Sequence, residues 1–187
     1  MEVLEFADAA GWESWLADHH DTRAEAWVRI GKGHADTTLP TIVATGELAL
    51  CFGWIDGHRK AQDEVSFLQR YSRRRPKSSW SKVNVARVES LIAAGRMRPP
   101  GSAEIEDAKA DGRWEAAYES QRNASVPAEL TAALVDNPVA RLAFERLGRS
   151  ERYVLMLPML PMLPMLKTYT PKTRANALRR LVTRLER

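Results

Sequence analysis

Arg73, Arg74 and Arg75 stand in a row, and Pro76 and Lys77 follow, so four cations fall within five residues. Ser78, Ser79 and Ser81 come directly after them. A guanidinium is a planar fork of donors that matches a carboxylate or phosphate, and the free N–H groups at a helix start favour the same anions. A helix opening at Trp80 would place such an anion site at this junction, with the serines adding hydroxyl donors or capping the helix. Upstream, Trp54 and Asp56 sit in a second dense stretch, LCFGWIDG over 50–57. Trp54 and Trp80 could supply a flat wall to a pocket for an anionic small molecule, a peptide C-terminus or a nucleic-acid backbone. The candidate ligand-binding set is Trp54, Asp56, Arg73, Arg74, Arg75, Ser78, Trp80, Ser81 and Asn84. The two stretches flank an expected hairpin, so Trp54, Asp56, Arg75, Ser78, Trp80 and Asn84 are expected to lie close together. The same residues also admit a structural role: both tryptophans in the core, Ser81 a cap, Asp56 paired with an arginine, and Asn84 securing the loop.

Other chemistry is thinly represented. Asp56 and His58 are two apart on an expected strand, which would make them an acid–base pair or simply neighbours on a solvent face. Cys51 sits in an apolar helix beside Phe52 and reads as inert core. His19, His20, His34 and His58 show no metal-ligand spacing, and no second cysteine helps them, so neither a metal nor a cofactor is expected. No phosphate-binding, dinucleotide or nucleophile-elbow motif is present. Met156 to Leu166 reads MLPMLPMLPML and holds four of the six methionines. Proline at every third position predicts an extended backbone docked on apolar surface or on a second chain, with a homo-oligomer through this tract as one outcome. Thioethers are also soft ligands for Cu(I), a minor alternative.

These groups need elements to hold them. Trp12, Trp15 and Leu16 share one face of a short helix over 11–17, which Asp8 can cap. Ala26, Val28 and Ile30 alternate with Trp27 and Arg29, which predicts a strand over 24–30. Thr41 caps a helix that runs to Phe52 and is closed by Gly53 in the left-handed conformation. Strands are expected over 54–60 and 65–71, then a helix over 80–94. Pro99-Pro100-Gly101 reads as a break, with a helix from Ser102 to Ala110 and another short helical face at Trp114, Ala117 and Tyr118. Beyond the polar segment 121–126 the chain reads as all helix. Its clearest member is started by Thr170-Pro171, with Leu178, Leu181, Val182 and Leu185 on one stripe. The fold class is α+β, helix-dominated, with a small antiparallel sheet in residues 1–120 and a helical extension over 127–187.

The two dense stretches, with AAGRMRPPG over 93–101, resemble the YdeI/OmpD-associated (bacteriocin-protection) family. The resemblance is carried by Cys51 through Gly57, then Arg74, Arg75, Pro76, Ser78, Trp80, Ser81 and Asn84, then Gly95, Arg96 and Met97. It continues in Asp111 through Trp114 with Ala117 and Tyr118, and more loosely in Lys172-Thr173-Arg174 of the tail. Ser72-Arg73 stands where that family usually has Thr-Pro. The resemblance implies a non-enzymatic binding protein of bacterial stress or bacteriocin tolerance, taking an anionic small molecule or a protein or peptide partner.

Charge is distributed in blocks. Residues 1–57 hold 3 Lys/Arg and 10 Asp/Glu, whereas 58–98 hold 11 and 3; 99–151 hold 6 and 10, and 152–187 hold 8 and 1. Such blocks can neutralise each other within the fold, or the basic ones can meet an anionic partner. Two alternatives therefore stay open beside the binding protein. One is a nucleic-acid-binding module using 70–98 and the last helix, with weak, non-specific affinity because no recognised motif accompanies the charge. The other is an enzyme acting on an anionic metabolite. Acids at Glu2, Glu5 and Asp8 argue against an export signal, and the longest apolar run is interrupted by prolines, so a cytoplasmic protein without a membrane span is expected.

Overall fold

The computed structural model describes residues 2–119, 123–159 and 170–186. These fold as α+β: four strands, β1 (Val3–Leu4), β2 (Glu25–Gly31), β3 (Trp54–Ala61) and β4 (Ser66–Arg73), with eight α-helices. The chain divides into two compact units, Met1–Ser78 with Asn84–Asp111, and Ser79–Val83 with Gly112–Arg187. The sequence placed its boundary at the polar segment 121–126. The compact units divide at Asp111–Gly112, and Ser79–Val83 groups with the second.

The first unit is built on a mixed sheet of order β1-β2-β4-β3. β4 is antiparallel to both β2 and β3, as alternation predicts, while β1 joins the edge parallel to β2, a two-residue pairing with no sequence signal. Helices α1 (Ala9–His19) and α2 (Ile42–Cys51) bring Trp12, Leu16, Thr45, Leu48 and Ala49 into the core. Asp8 caps α1 and Thr41 caps α2, each accepting a backbone N–H three residues on, from Gly11 and Ala44. Trp12 packs on Tyr71, Trp15 and Trp54, with ring centroids 5.3, 5.3 and 6.4 Å away. The Tyr71 hydroxyl lies 2.7 Å from that of Thr45 in this buried layer.

Helix α3 (Lys82–Ala93) begins two residues later than expected. Helix α4 (Pro99–Ala110) overturns the expected break: its prolines occupy the opening positions, where the missing N–H is no loss. The next residue, Gly101, is demanded by contact, since a Cβ there would lie 2.2 Å from the carbonyl oxygen of Cys51. Thus the C-terminus of α2 and the start of α4 meet backbone to backbone. Ion pairs link the first acidic block to the following basic one, Arg70 with Glu25, Arg96 with Glu47 and Arg98 with Glu13, which favours internal compensation of charge.

In the second unit Trp80 packs beside Trp114, centroids 5.0 Å apart, and Ser81 bridges to Tyr118. Residues 111–116 form turns in place of the expected helical face. Helices α5 (Ala128–Val135), α6 (Pro138–Arg146), α7 (Arg149–Met156) and α8 (Pro171–Leu185) enclose a core of Leu130, Leu134, Phe144, Met156, Met159, Leu181 and Leu185. Thr170 caps α8, and Leu178 and Val182 pack against this core, as the stripe predicted. The extended backbone expected of the Met-Leu-Pro tract does not hold over its start. Met156 ends α7 and Leu157–Met159 form a 3₁₀ turn. A 3₁₀ turn also repeats every three residues, so it aligns Met156 and Met159 toward the core while Pro158 faces no continuing α-helical ladder. The rest of the tract, its copper alternative and an oligomer through it lie outside the described residues.

Candidate functional site

At one end of the sheet the first unit encloses a cleft of about 870 Å³. Its walls come from the Arg73–Ser78 segment after β4, the end of α1 at His20 and Asp21, the Phe52–Gly53 corner, and Pro100 and Glu104 of α4. Local chemistry explains the shape. Gly53 takes a left-handed φ of 72°, and its carbonyl accepts the backbone N–H of Arg74 at 3.1 Å. The Ser78 N–H closes a turn on the carbonyl of Arg75 at 3.0 Å. Pro76 presets the second position of that turn, and Lys77 at the third has a φ of 61°, a place usually given to glycine.

The floor is the face of the sheet opposite Tyr71. Strand register places Glu25, Ser72 and Ile55 in one row across β2, β4 and β3. Arg70 follows Ser72 on the same face of β4. It donates from Nε at 2.9 Å and Nη2 at 2.6 Å to a single oxygen of Glu25. This hydrogen bond holds the Glu25 carboxyl below its ordinary pKa. Beyond Asp56, β3 carries a bulge: the register passes from Asp56–Tyr71 to Arg59–Gln69, one extra residue on β3. The bulge breaks the expected Asp56–His58 alternation.

The structure gathers Asp56, Arg73, Arg74, Arg75 and Ser78 around this cleft. Arg74 is 5% exposed, whereas Arg73 and Arg75 are exposed and make no ion pair with another described residue. Trp54 is no wall. It is fully buried, edge-on to Trp12 and Trp15, and its Nε1 donates to the carbonyl of His20 at 3.1 Å, so it supports the cleft from beneath. Asn84 is buried on α3 and does not line the cleft; Trp80 and Ser81 belong to the second unit. Sequence reading passed over Arg70, Glu25, Ser72 and Glu104, because only the strand order reveals that they converge.

The lining carries Arg70, Arg73, Arg74 and Arg75 against Asp21, Glu25, Asp56 and Glu104, so its formal charges balance. Burial pushes the Cys51 thiol above its ordinary pKa, which suits an inert core residue. Among the described residues no three His, Cys, Asp or Glu side chains are placed to hold a metal ion, and no helix is long and apolar enough to cross a membrane. No curated protein and no solved structure matches the chain significantly. A family model does, over residues 4–104, which takes in every residue lining the cleft, and with more than half its length matched the chain belongs to the family described as a domain of unknown function, DUF8412.

Proposed function

We propose that the chain is a non-enzymatic binding protein whose first-unit cleft takes an anionic small molecule or the anionic end of a protein or peptide partner. A role in bacterial stress or bacteriocin tolerance follows from the resemblance to the YdeI/OmpD-associated family. The observation that carries the binding reading is the turn at Arg73–Ser78, which places three arginines and Ser78 in the lining of one cleft. Nucleic acid is the less favoured partner. The balanced lining offers no net positive field, and Arg70, Arg96 and Arg98 are engaged by carboxylates instead of forming a stripe for phosphates. An enzyme is less favoured because the one thiol lies in the core.

The test is a titration of the backbone amide resonances with benzoate and with phenyl phosphate. Saturable shifts confined to cleft residues, abolished in Arg73→Ala/Arg75→Ala, are expected. No saturable shift with either anion, or shifts elsewhere only, would overturn the reading. Release of phenol from phenyl phosphate would favour the enzyme. Tight binding of mixed-sequence duplex DNA at about 150 mM salt would favour the nucleic-acid module.

A further inference from the structure

We infer that Arg70, oriented by Glu25, is the anchor of this cleft, and that its ligand carries a carboxylate on an apolar body. The inference rests on the binding reading above and goes further by naming the group that holds the ligand and the ligand's class. Glu25 engages Nε and Nη2 of Arg70, at 2.9 and 2.6 Å, which fixes the plane of the guanidinium. The third nitrogen is turned toward Gly57: a Cβ on that glycine would lie 3.5 Å from Nη1. Nη1 has no hydrogen-bond partner among the described residues, and neither does the hydroxyl of Ser72. Arg70 and Ser72 are alternate residues of one strand and face the same way, so the floor presents both donors on one face. Glycine at position 57 keeps the space over them open.

Two donors on one face can each take one oxygen of a carboxylate. Charge points to the same class. With four arginines balanced by four carboxylates in the lining, and Arg70 itself partly neutralised by Glu25, a phosphate dianion would gain little and would face fixed negative charge. Ile55 in the floor row and Pro76 and Pro100 in the walls give an apolar body surface to lie on. Glu25 acts through Arg70 and is a positioning residue.

The experiment compares benzoate, phenyl phosphate and benzylammonium, which share a ring and differ in the charged group, by amide-resonance titration of the full chain. Benzoate should bind most tightly and should shift Gly57, Arg70 and Ser72. Arg70→Lys, which keeps charge but loses the fork, should weaken it about fivefold or more. Glu25→Ala is diagnostic in sign. If Glu25 were only an opposing charge, removing it would tighten benzoate; as a positioning residue its removal weakens benzoate. Glu25→Gln keeps an oxygen for Arg70 and should restore most of the affinity. Gly57→Leu has no positive φ to oppose it and should block the site. Thermal midpoints near that of the parent chain are required of each variant counted. Tighter benzoate in Glu25→Ala, or benzoate unaffected by Arg70→Lys but lost in Arg73→Ala/Arg75→Ala, would overturn the role of Arg70 and leave the cleft reading intact. Phenyl phosphate binding more tightly than benzoate would overturn the carboxylate class. Absence of any anion binding would remove both readings.

Discussion

The side-chain nitrogen of Gln69 lies 3.0 Å from the carbonyl oxygen of Gly57, across the bulge in β3. It is also 3.3 Å from the carbonyl of His58 and 3.1 Å from that of Arg70, while its oxygen accepts from Arg59 Nε at 3.3 Å. A bulge frees backbone groups from the ladder, and buried groups of that kind need partners. Gln69, 2% exposed, supplies one from within the sheet. Gln69→Leu keeps the volume and removes the amide. It should cost about 1–3 kcal/mol, the penalty of leaving a buried polar group unmet. A urea midpoint equal to that of the parent chain would show that the bulge does not depend on this latch.

Strand β2 was legible because apolar residues recur at every second position. Ala26, Val28 and Ile30 face the helices, and the sequence says so by period alone. The bulge was not legible. Only Gly57 hinted at it, and the latch sits on another strand. The pairing of Arg70 with Glu25 depends on β4 lying between β2 and β3, which three strand segments in sequence do not determine. Trp54 reads as a possible wall because it shares the dense 50–57 stretch with Asp56, yet alternation puts it on the face of Tyr71, inside. Pro99-Pro100 was read as a break because proline usually ends a helix, and the same restriction lets it begin one.

Gly101 should tolerate no side chain. A methyl group at this position would sit 2.2 Å from the Cys51 oxygen and 2.7 Å from its carbon, both backbone atoms of a helix end. Gly101→Ala should therefore destabilise by about 1–3 kcal/mol or more, as overpacking does when the neighbour cannot turn aside. Gly33→Ala is the control, since a Cβ there meets nothing within 4 Å. Equal thermal midpoints for the two variants would refute the close approach.

Lys77 stores strain in the Arg75–Ser78 turn, with a φ of 61°. The left-handed conformation costs a residue with a Cβ about 1–2 kcal/mol, partly offset by the greater freedom glycine loses on folding. Lys77→Gly should raise stability by up to about 1 kcal/mol, and Lys77→Val, branched at Cβ, should lower it. The order glycine, lysine, valine in unfolding midpoint is the measurement. A fall in Lys77→Gly would mean that the lysine side chain holds the turn by contacts that outweigh its backbone strain.

Alkaline stability should report on Tyr71. Burial pushes its phenol well above the ordinary value, and the hydrogen bond with Thr45 offsets only part of that. Because the folded-state value is raised, the proton is held more tightly in the folded chain. Below about pH 10, the ordinary tyrosine value, both states are protonated and the contribution is complete. Above that, the unfolded chain ionises and the folded chain does not, so stability falls by up to about 1.4 kcal/mol per pH unit from this group. Tyr71→Phe should lose about 1 kcal/mol near neutrality with the hydrogen bond. Thr45 still reaches the carbonyl of Thr41 at 2.9 Å, so no orphaned hydroxyl adds to that loss. The variant should then decline less steeply above about pH 10, with a smaller residual slope from Tyr153, whose phenol burial also raises. Urea midpoints measured across that range give the two slopes. Parallel lines for the parent chain and Tyr71→Phe would mean that Tyr71 ionises in the folded chain as readily as in the unfolded one.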